Sequence, residues 1–146
     1  MRRNEFIKTC CITCFSGSLF ATLLQSCESL NYFALSAISN NQIIVKKTEF
    51  IKTDKSKTVQ RKYILVKIEK FNFPIYVNRI SEGNFSAILM ECSHNSCELN
   101  PHGDYLICPC HGSEFTNLGV VQNPPANKNL RSFKTTSDNE NIYIQL

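Results

Sequence analysis

The sequence is short of histidine, of net charge and of helical patterning, and each shortage narrows what the chain can be. Its 146 residues supply three histidines, His94, His102 and His111, so no site can draw on more imidazoles than these. The formal charge is +4, and Arg2, Arg3 and Lys8 at the extreme amino terminus carry part of it. So mild a balance does not suggest a nucleic-acid partner. No segment sustains a helical apolar period, which leaves an all-β body. The length allows one domain with a single modest core and is too small for a large enzyme with its own substrate cavity.

What the chain does have is cysteine, in two tight groups: Cys10, Cys11, Cys14 and Cys27, then Cys92, Cys97, Cys108 and Cys110. The first three lie in an uncharged run from Thr9 to Leu24, "TCCITCFSGSLFATLL", which follows the basic stretch "MRRNEFIK". A positive stretch, then an apolar run too short and too interrupted by Ser, Thr and Gly for a comfortable membrane span, is the layout of a bacterial export signal over residues 1–26. It ends in "LLQSC", which resembles the lipobox of bacterial lipoproteins, with aliphatic Leu24 three residues before Cys27 and small Ser26 just before it. The resemblance implies that the Cys27 thiol takes a lipid and becomes the mature amino terminus. A hydrophobic anchor helix left uncleaved is the alternative, and it too holds the chain at a membrane surface. The opening is also similar to a twin-arginine leader, which exports proteins already folded around a cofactor. That leader usually has phenylalanine two residues after the arginine pair, whereas Phe6 lies three after Arg3. Cys10, Cys11 and Cys14 read as small apolar residues of the leader.

Residues 27–40 read as a tether, Ser- and Asn-rich from Asn31 to Asn40. Beyond it the pattern becomes strand-like. "QIIVKKTEFIK", "RKYILVKIE", "FPIYVNRI" and "NFSAILMECS" are short β-branched and aromatic runs, separated by "TDKSKTVQ", "KFNF" and "SEGN". The lysines from Lys46 to Lys70 alternate with apolar residues and read as solvated strand faces rather than as a basic patch for an acidic partner. The carboxyl end, "NLRSFKTTSDNENIYIQL", reads as two strands joined by a polar turn at Ser137 to Asn141.

The second cysteine group has company. Cys92-Ser93-His94 and Cys108-Pro109-Cys110-His111 each offer a thiolate and an imidazole on a tight loop, with thirteen residues between them. Cys97 and Cys110 are left over, one on each loop. Two cysteines and two histidines can hold a structural zinc, which leaves Cys97 and Cys110 without a role. A disulfide scaffold suits an exported chain but gives the histidines none. His102, in "NPHGD", stands apart as a surface loop residue.

Taken together, "CSHNSC" and "CPCHGS" resemble the cluster-binding motif of Rieske iron-sulfur proteins. The resemblance implies an antiparallel β sandwich or barrel over residues 41–146, with a cluster-binding subdomain of two loops at about 90–126. It implies a [2Fe-2S] cluster with Cys92 and Cys108 on one iron and His94 and His111 on the other. It also implies a Cys97–Cys110 disulfide clamping the loops, with Pro109 stiffening the second. Replacing two of four thiolates by neutral imidazoles makes the cluster less negative, so an added electron meets less repulsion. Potentials then rise to roughly −150 to +300 mV, against about −400 mV for all-cysteine plant-type clusters.

Neighbouring positions carry further implications. Ser113 matches a serine that donates to a bridging sulfide in high-potential members, but Phe115 stands where those members have a donating tyrosine. With one donor of two, the potential is expected below that of quinol-oxidising members and above ferredoxin-type ones. Asn95 replaces the bulky aliphatic residue that usually follows the first histidine where quinol approaches. "NPPANKNL", with Pro124 and Pro125, resembles the proline loop that shields the cluster's third side.

The resemblance thus implies an exported, lipid-anchored electron-transfer protein on the periplasmic side of a membrane, exchanging single electrons with a cytochrome or an oxidoreductase subunit. The alternatives are the Rieske subunit of a quinol:cytochrome or molybdenum (arsenite oxidase-like) complex, and a zinc- or disulfide-stabilised surface lipoprotein. No second catalytic domain or mononuclear iron site accompanies the motif.

Overall fold

The computed structural model describes residues 31–54 and 57–146. The export signal and the lipidation position, Cys27, lie outside the described residues, as do Cys10, Cys11 and Cys14. The described chain is built from three antiparallel four-stranded sheets and one hairpin. Strands β1 (Ser36–Ser39), β2 (Gln42–Lys46), β13 (Thr135–Ser137) and β14 (Asn141–Gln145) form the first, in the order β1-β2-β14-β13. The second orders β5 (Tyr63–Val66), β6 (Ile75–Ser81), β7 (Asn84–Leu89) and β12 (Ser132–Phe133) as β12-β7-β6-β5. The third orders β8 (Asn100–His102), β9 (Tyr105–Ile107), β10 (Glu114–Thr116) and β11 (Val121–Asn123) as β11-β10-β9-β8. The hairpin is β3 (Ile51–Asp54) with β4 (Lys57–Gln60). Among the described residues no helix is long and apolar enough to cross a membrane.

The second sheet is the middle layer, and its sequence shows why. Side chains alternate faces along a strand, so a sheet buried on both sides needs apolar residues at consecutive positions. "YILV", "IYV" and "AIL" are such runs. Ile64, Val66, Ile75, Val77, Ala87 and Leu89 face the first sheet, where Ile43, Val45, Ile142 and Ile144 complete one core. Leu65, Tyr76 and Ile88 face the other way and meet Leu99, Leu106 and Phe115 of the third-sheet region in a second core. A one-residue slip in β5, β6 or β7 would exchange the two cores' contents, so the register is strongly specified. Gly119 anchors the turn between β10 and β11 to this second core. With φ of +79° and a hypothetical Cβ at 3.1 Å from Ile88, no larger residue fits.

Three readings of the sequence are corrected. Residues 31–40 are not a tether throughout: β1 pairs with β2 through a two-residue turn at Asn40 and Asn41, whose φ values are +48° and +60°. The backbone of Tyr32 and Ala34 also exchanges hydrogen bonds with Leu65, at 2.8 Å each. "QIIVKKTEFIK" is not one strand but β2 and β3 separated by a 3-10 turn at Lys47–Phe50, which drops Phe50 into the first core. "TDKSKTVQ" is not a spacer, since it contains β4. At the carboxyl end the expected strand pair is β13 and β14, and Asp138 organises the turn between them. Its carboxylate accepts from the N–H groups of Glu140 and Asn141 at 2.8 and 2.7 Å and from the Tyr143 hydroxyl at 2.6 Å.

Candidate metal centre

Strand periodicity delivers the two thiols. Ile88 and Met90 face the second core, and Cys92 is the next position with the same orientation. Leu106 on β9 faces the same core, and Cys108 is likewise the next inward position. Each thiol therefore enters the loop buried, at 1% exposure. The chain then turns back in the same way twice. The Cys92 N–H donates to the Cys97 carbonyl and the Ser96 N–H to the Cys92 carbonyl, both at 2.9 Å. In the second loop the Cys108 N–H donates to the Ser113 carbonyl at 2.8 Å and the Gly112 N–H to the Cys108 carbonyl at 2.9 Å. The residue four after each cysteine is left-handed: Ser96 at φ +44° and Gly112 at +77°. The two loops thus repeat one hydrogen-bond pattern, although their sequences differ at most positions.

The loops present their other groups outward. His94 and His111 are exposed, and their rings meet edge to face with centroids 5.1 Å apart. Cys97 and Cys110 form a disulfide across the loops. The Cys108 sulfur lies within 4.8 Å of both disulfide sulfurs, but those two are spent in their own bond, which leaves Cys92 and Cys108 as the free thiols among the described residues. Burial pushes the Cys108 thiol above its ordinary pKa, and its hydrogen bond with Cys92 adds to this. The backbone N–H groups of Cys110 and His111 act in the opposite sense, favouring the thiolate. A metal bound here must therefore expel protons, and two backbone donors are already directed at the sulfur that results.

A third loop closes one side. The Ser113 hydroxyl, fully buried, accepts from the Ala126 N–H at 3.0 Å. From the first loop, the Ser93 hydroxyl donates to the Lys128 carbonyl at 2.6 Å. The segment carrying Pro124 and Pro125 is held at both cluster loops, while the prolines themselves stay exposed. Phe115 is fully buried in the second core. Asn95 is exposed beside His94. His102 lies tilted at 45° against Tyr105 with ring centroids 5.0 Å apart, on the β8–β9 hairpin and away from the loops. The sequence reading missed Ser93 and Ala126. A serine between two candidate ligands has no signature that separates it from loop filler, and Ala126 acts through its backbone.

The donor set fits a two-iron cluster with mixed ligation: two shielded thiols and two exposed imidazoles on matched loops, with a disulfide between the loops and a buried hydroxyl beside them. A closed structural zinc site would use the same four side chains but needs no matched third loop.

Comparison with known proteins identifies the domain family. Residues 44–134 match the Rieske [2Fe-2S] domain. The "Cytochrome b6-f complex iron-sulfur subunit 2" of Nostoc sp. is 31% identical over 75 residues, 49% of this chain and 42% of that protein. The "Cytochrome b6-f complex iron-sulfur subunit" of Chlorobaculum tepidum is 26% identical over 82 residues, 55% of this chain and 45% of that one. Under half the length of these curated relatives is therefore matched. Among solved structures, the cyanobacterial plasma membrane Rieske protein of Synechocystis PCC 6803 aligns with a TM-score of 0.51 at 30% identity, covering 58% of this chain and 87% of that one. The fold and the site define an antiparallel β protein of the iron-sulfur class. The chain belongs to the Rieske [2Fe-2S] domain family, and its cofactor is a Rieske [2Fe-2S] cluster.

Proposed function

We propose that this chain is a membrane-tethered electron carrier working outside the cytoplasm, with Cys92 and Cys108 on one iron and His94 and His111 on the other. The observation that carries the ligand set is the pairing of two buried free thiols with two exposed imidazoles 5.1 Å apart, on loops of one backbone pattern. When bound, the cluster supplies a one-electron redox centre. The protein's own residues shield the thiolates, hold the loops through Cys97–Cys110, cover one side with the Pro124–Pro125 segment and leave the imidazoles where a partner can reach them. Exposed imidazole edges suit brief docking, which small interfaces serve.

The basic and apolar leader and the lipobox-like "LLQSC" support export over residues 1–26 and lipid attachment at Cys27, which places the domain on the periplasmic side. The redox partner is a cytochrome or an oxidoreductase subunit, in keeping with the complex named in the Nostoc relative. That name also favours a second reading, the Rieske subunit of a quinol:cytochrome complex. Asn95 and Phe115 weigh against quinol oxidation, and the missing tyrosine donor sets the potential below quinol-oxidising members and above ferredoxin-type ones.

An EPR-monitored redox titration of the purified chain, with metal analysis, tests the reading. A signal of a histidine-ligated two-iron centre on reduction, absent after Cys92→Ser and shifted after His94→Cys, is expected. Zinc in place of iron, with no signal in either redox state, would refute it.

A further inference from the structure

We infer that the β3–β4 hairpin and the entry segment beside it form a surface that lies against anionic lipid and turns the exposed imidazoles away from the bilayer. The inference rests on the membrane tethering proposed above and adds to it an orientation and a lipid preference.

Chain length is the first support. With Asn31 to Ser39 engaged in the fold, only Glu28, Ser29 and Leu30 separate Cys27 from the domain. Four residue steps span at most about 14 Å, so the entry face of the domain must sit close to any anchor at Cys27. Asn31 itself accepts from the Tyr63 hydroxyl at 3.2 Å.

The entry segment is stapled to the base of the hairpin. One carboxylate oxygen of Glu49 accepts from the Tyr32 hydroxyl at 2.8 Å and from the Leu35 N–H at 3.3 Å. Arg61 lies over the Tyr32 ring at 3.8 Å and donates to the Glu49 and Ile51 carbonyls. Around this staple stand apolar side chains that a water-facing surface does not need: Leu35 is 81% exposed, Val59 53%, Phe33 50% and Ile51 45%. On the hairpin Lys52 is paired in register with Val59, and Lys57 with Asp54. Apolar residues among long cationic side chains are the composition of a surface that settles into the headgroup layer.

Charge is divided along the chain in the same sense. From Lys46 to Arg79 there are ten Lys and Arg against three Asp and Glu; from Glu82 to Asn127 there are five Asp and Glu and no Lys or Arg. The first stretch contains the hairpin and the second contains both cluster loops. Lys128, next to the first loop, is the nearest cation after that stretch. Lys62, at the foot of β5, pairs with Asp104 at 3.0 Å, and Asp104 sits on the β8–β9 turn. The cluster loops leave the opposite ends of β8 and β9, so the hairpin base and the imidazoles lie toward opposite ends of the third sheet. A basic, apolar-studded base facing anionic lipid leaves the cation-poor cluster end in solution for a redox partner.

The test is hydrogen exchange on the full, cluster-loaded, lipid-bearing chain bound to vesicles containing phosphatidylglycerol or to phosphatidylcholine vesicles. Exchange over 33–38 and 51–60 should slow at least about threefold on the anionic vesicles relative to the neutral ones, with no change in the loops at 92–97 and 108–113. Lys52→Glu with Lys57→Glu, both exposed, should abolish the difference while leaving the EPR spectrum intact. A vesicle-bound chain whose hairpin exchanges equally on both lipids overturns the orientation but leaves the tethering standing. A chain that sediments with neither vesicle removes the tethering, and the orientation with it. Slowing by soluble polyglutamate equal to that on the vesicles overturns the lipid assignment in favour of an acidic protein surface.

Discussion

The Ser113 hydroxyl accepts the Ala126 N–H at 3.0 Å in a fully buried position, joining the second cluster loop to the proline-bearing segment that covers it. With one lone pair engaged by Ala126, the hydroxyl proton is still free to donate, with a cluster sulfur as the acceptor to be tested. Ser113→Ala should therefore do two separable things. Leaving the Ala126 N–H buried without a partner costs about 1–3 kcal/mol of stability, read by chemical denaturation. Loss of the donor lowers the midpoint potential by about 20–60 mV, the equivalent of one ordinary hydrogen bond for a one-electron couple. A stability loss without a potential change would leave Ser113 as a strut alone.

Phe115 is the counterpart test. Its ring is fully buried in the core that also holds Cys92 and Cys108, so a phenolic hydroxyl added there must find an acceptor or carry a desolvation penalty. Phe115→Tyr should raise the midpoint potential by about 20–60 mV if that acceptor is a cysteine sulfur. An unchanged midpoint with reduced stability would mean that the hydroxyl is buried elsewhere, and the account of a missing donor would fail.

The Cys97–Cys110 disulfide closes a separation of 13 residues, for which chain entropy gives a stabilisation of about 3 kcal/mol. Cys97→Ser alone would free a Cys110 thiol close to the Cys108 sulfur, where it could compete for iron, so the informative variant replaces both cysteines. The double serine variant should lose about 2–4 kcal/mol and lose iron faster on dilution, followed by absorbance of the cluster. Full cluster retention would show that the three-loop packing suffices without the bridge.

Much of the site was legible because it is made of rare residues. Four cysteines and two histidines in "CSHNSC" and "CPCHGS" can be counted from the sequence, and the runs that build β5, β6 and β7 are long enough to read as strands. The missed parts depend on contacts that sequence spacing does not reveal. β1 was hidden because Ser36 to Ser39 are all exposed and lack the alternation of a half-buried strand. Its only local signal is Asn40-Asn41, a pair that tolerates positive φ at both centres of a two-residue hairpin turn, and a tether ending at Asn40 splits that pair. β4 was hidden for the same reason, being exposed throughout. The 3-10 turn at Lys47–Phe50 interrupts a run whose residue types all favour extension, because Phe50 gains more by entering the first core than by continuing the strand.

Away from the site, Asp138 gives a pH prediction with a defined sign. The Tyr143 hydroxyl, followed by the N–H groups of Asn141 and Glu140, holds its carboxyl down at about 2. A carboxylate depressed in the folded state stabilises above its unfolded value of about 3.9 and loses that contribution as pH falls toward 2. The β13–β14 turn should loosen over that window. Tyr143→Phe removes the leading cause, so the Asp138 carboxyl should titrate higher by NMR. No movement would mean that the backbone donors alone set its value.

Ser93 and Ser113 hold the same segment from different loops, and burial decides which matters more for stability. The Ser93 hydroxyl reaches the Lys128 carbonyl at 2.6 Å, but in an exposed position where water can replace it. Ser93→Ala should therefore cost no more than about 1 kcal/mol, less than Ser113→Ala, because no buried group is left unpaired. Its larger effect should be kinetic. Lys128 is the far end of the covering segment, and freeing it lets that end lift from the first loop while Ala126 stays fixed to Ser113. Small oxidants such as ferricyanide should then oxidise the reduced cluster faster in Ser93→Ala than in the parent chain, with the midpoint nearly unchanged. Equal rates in stopped-flow measurements would show that the Ser113 tie alone keeps the segment closed.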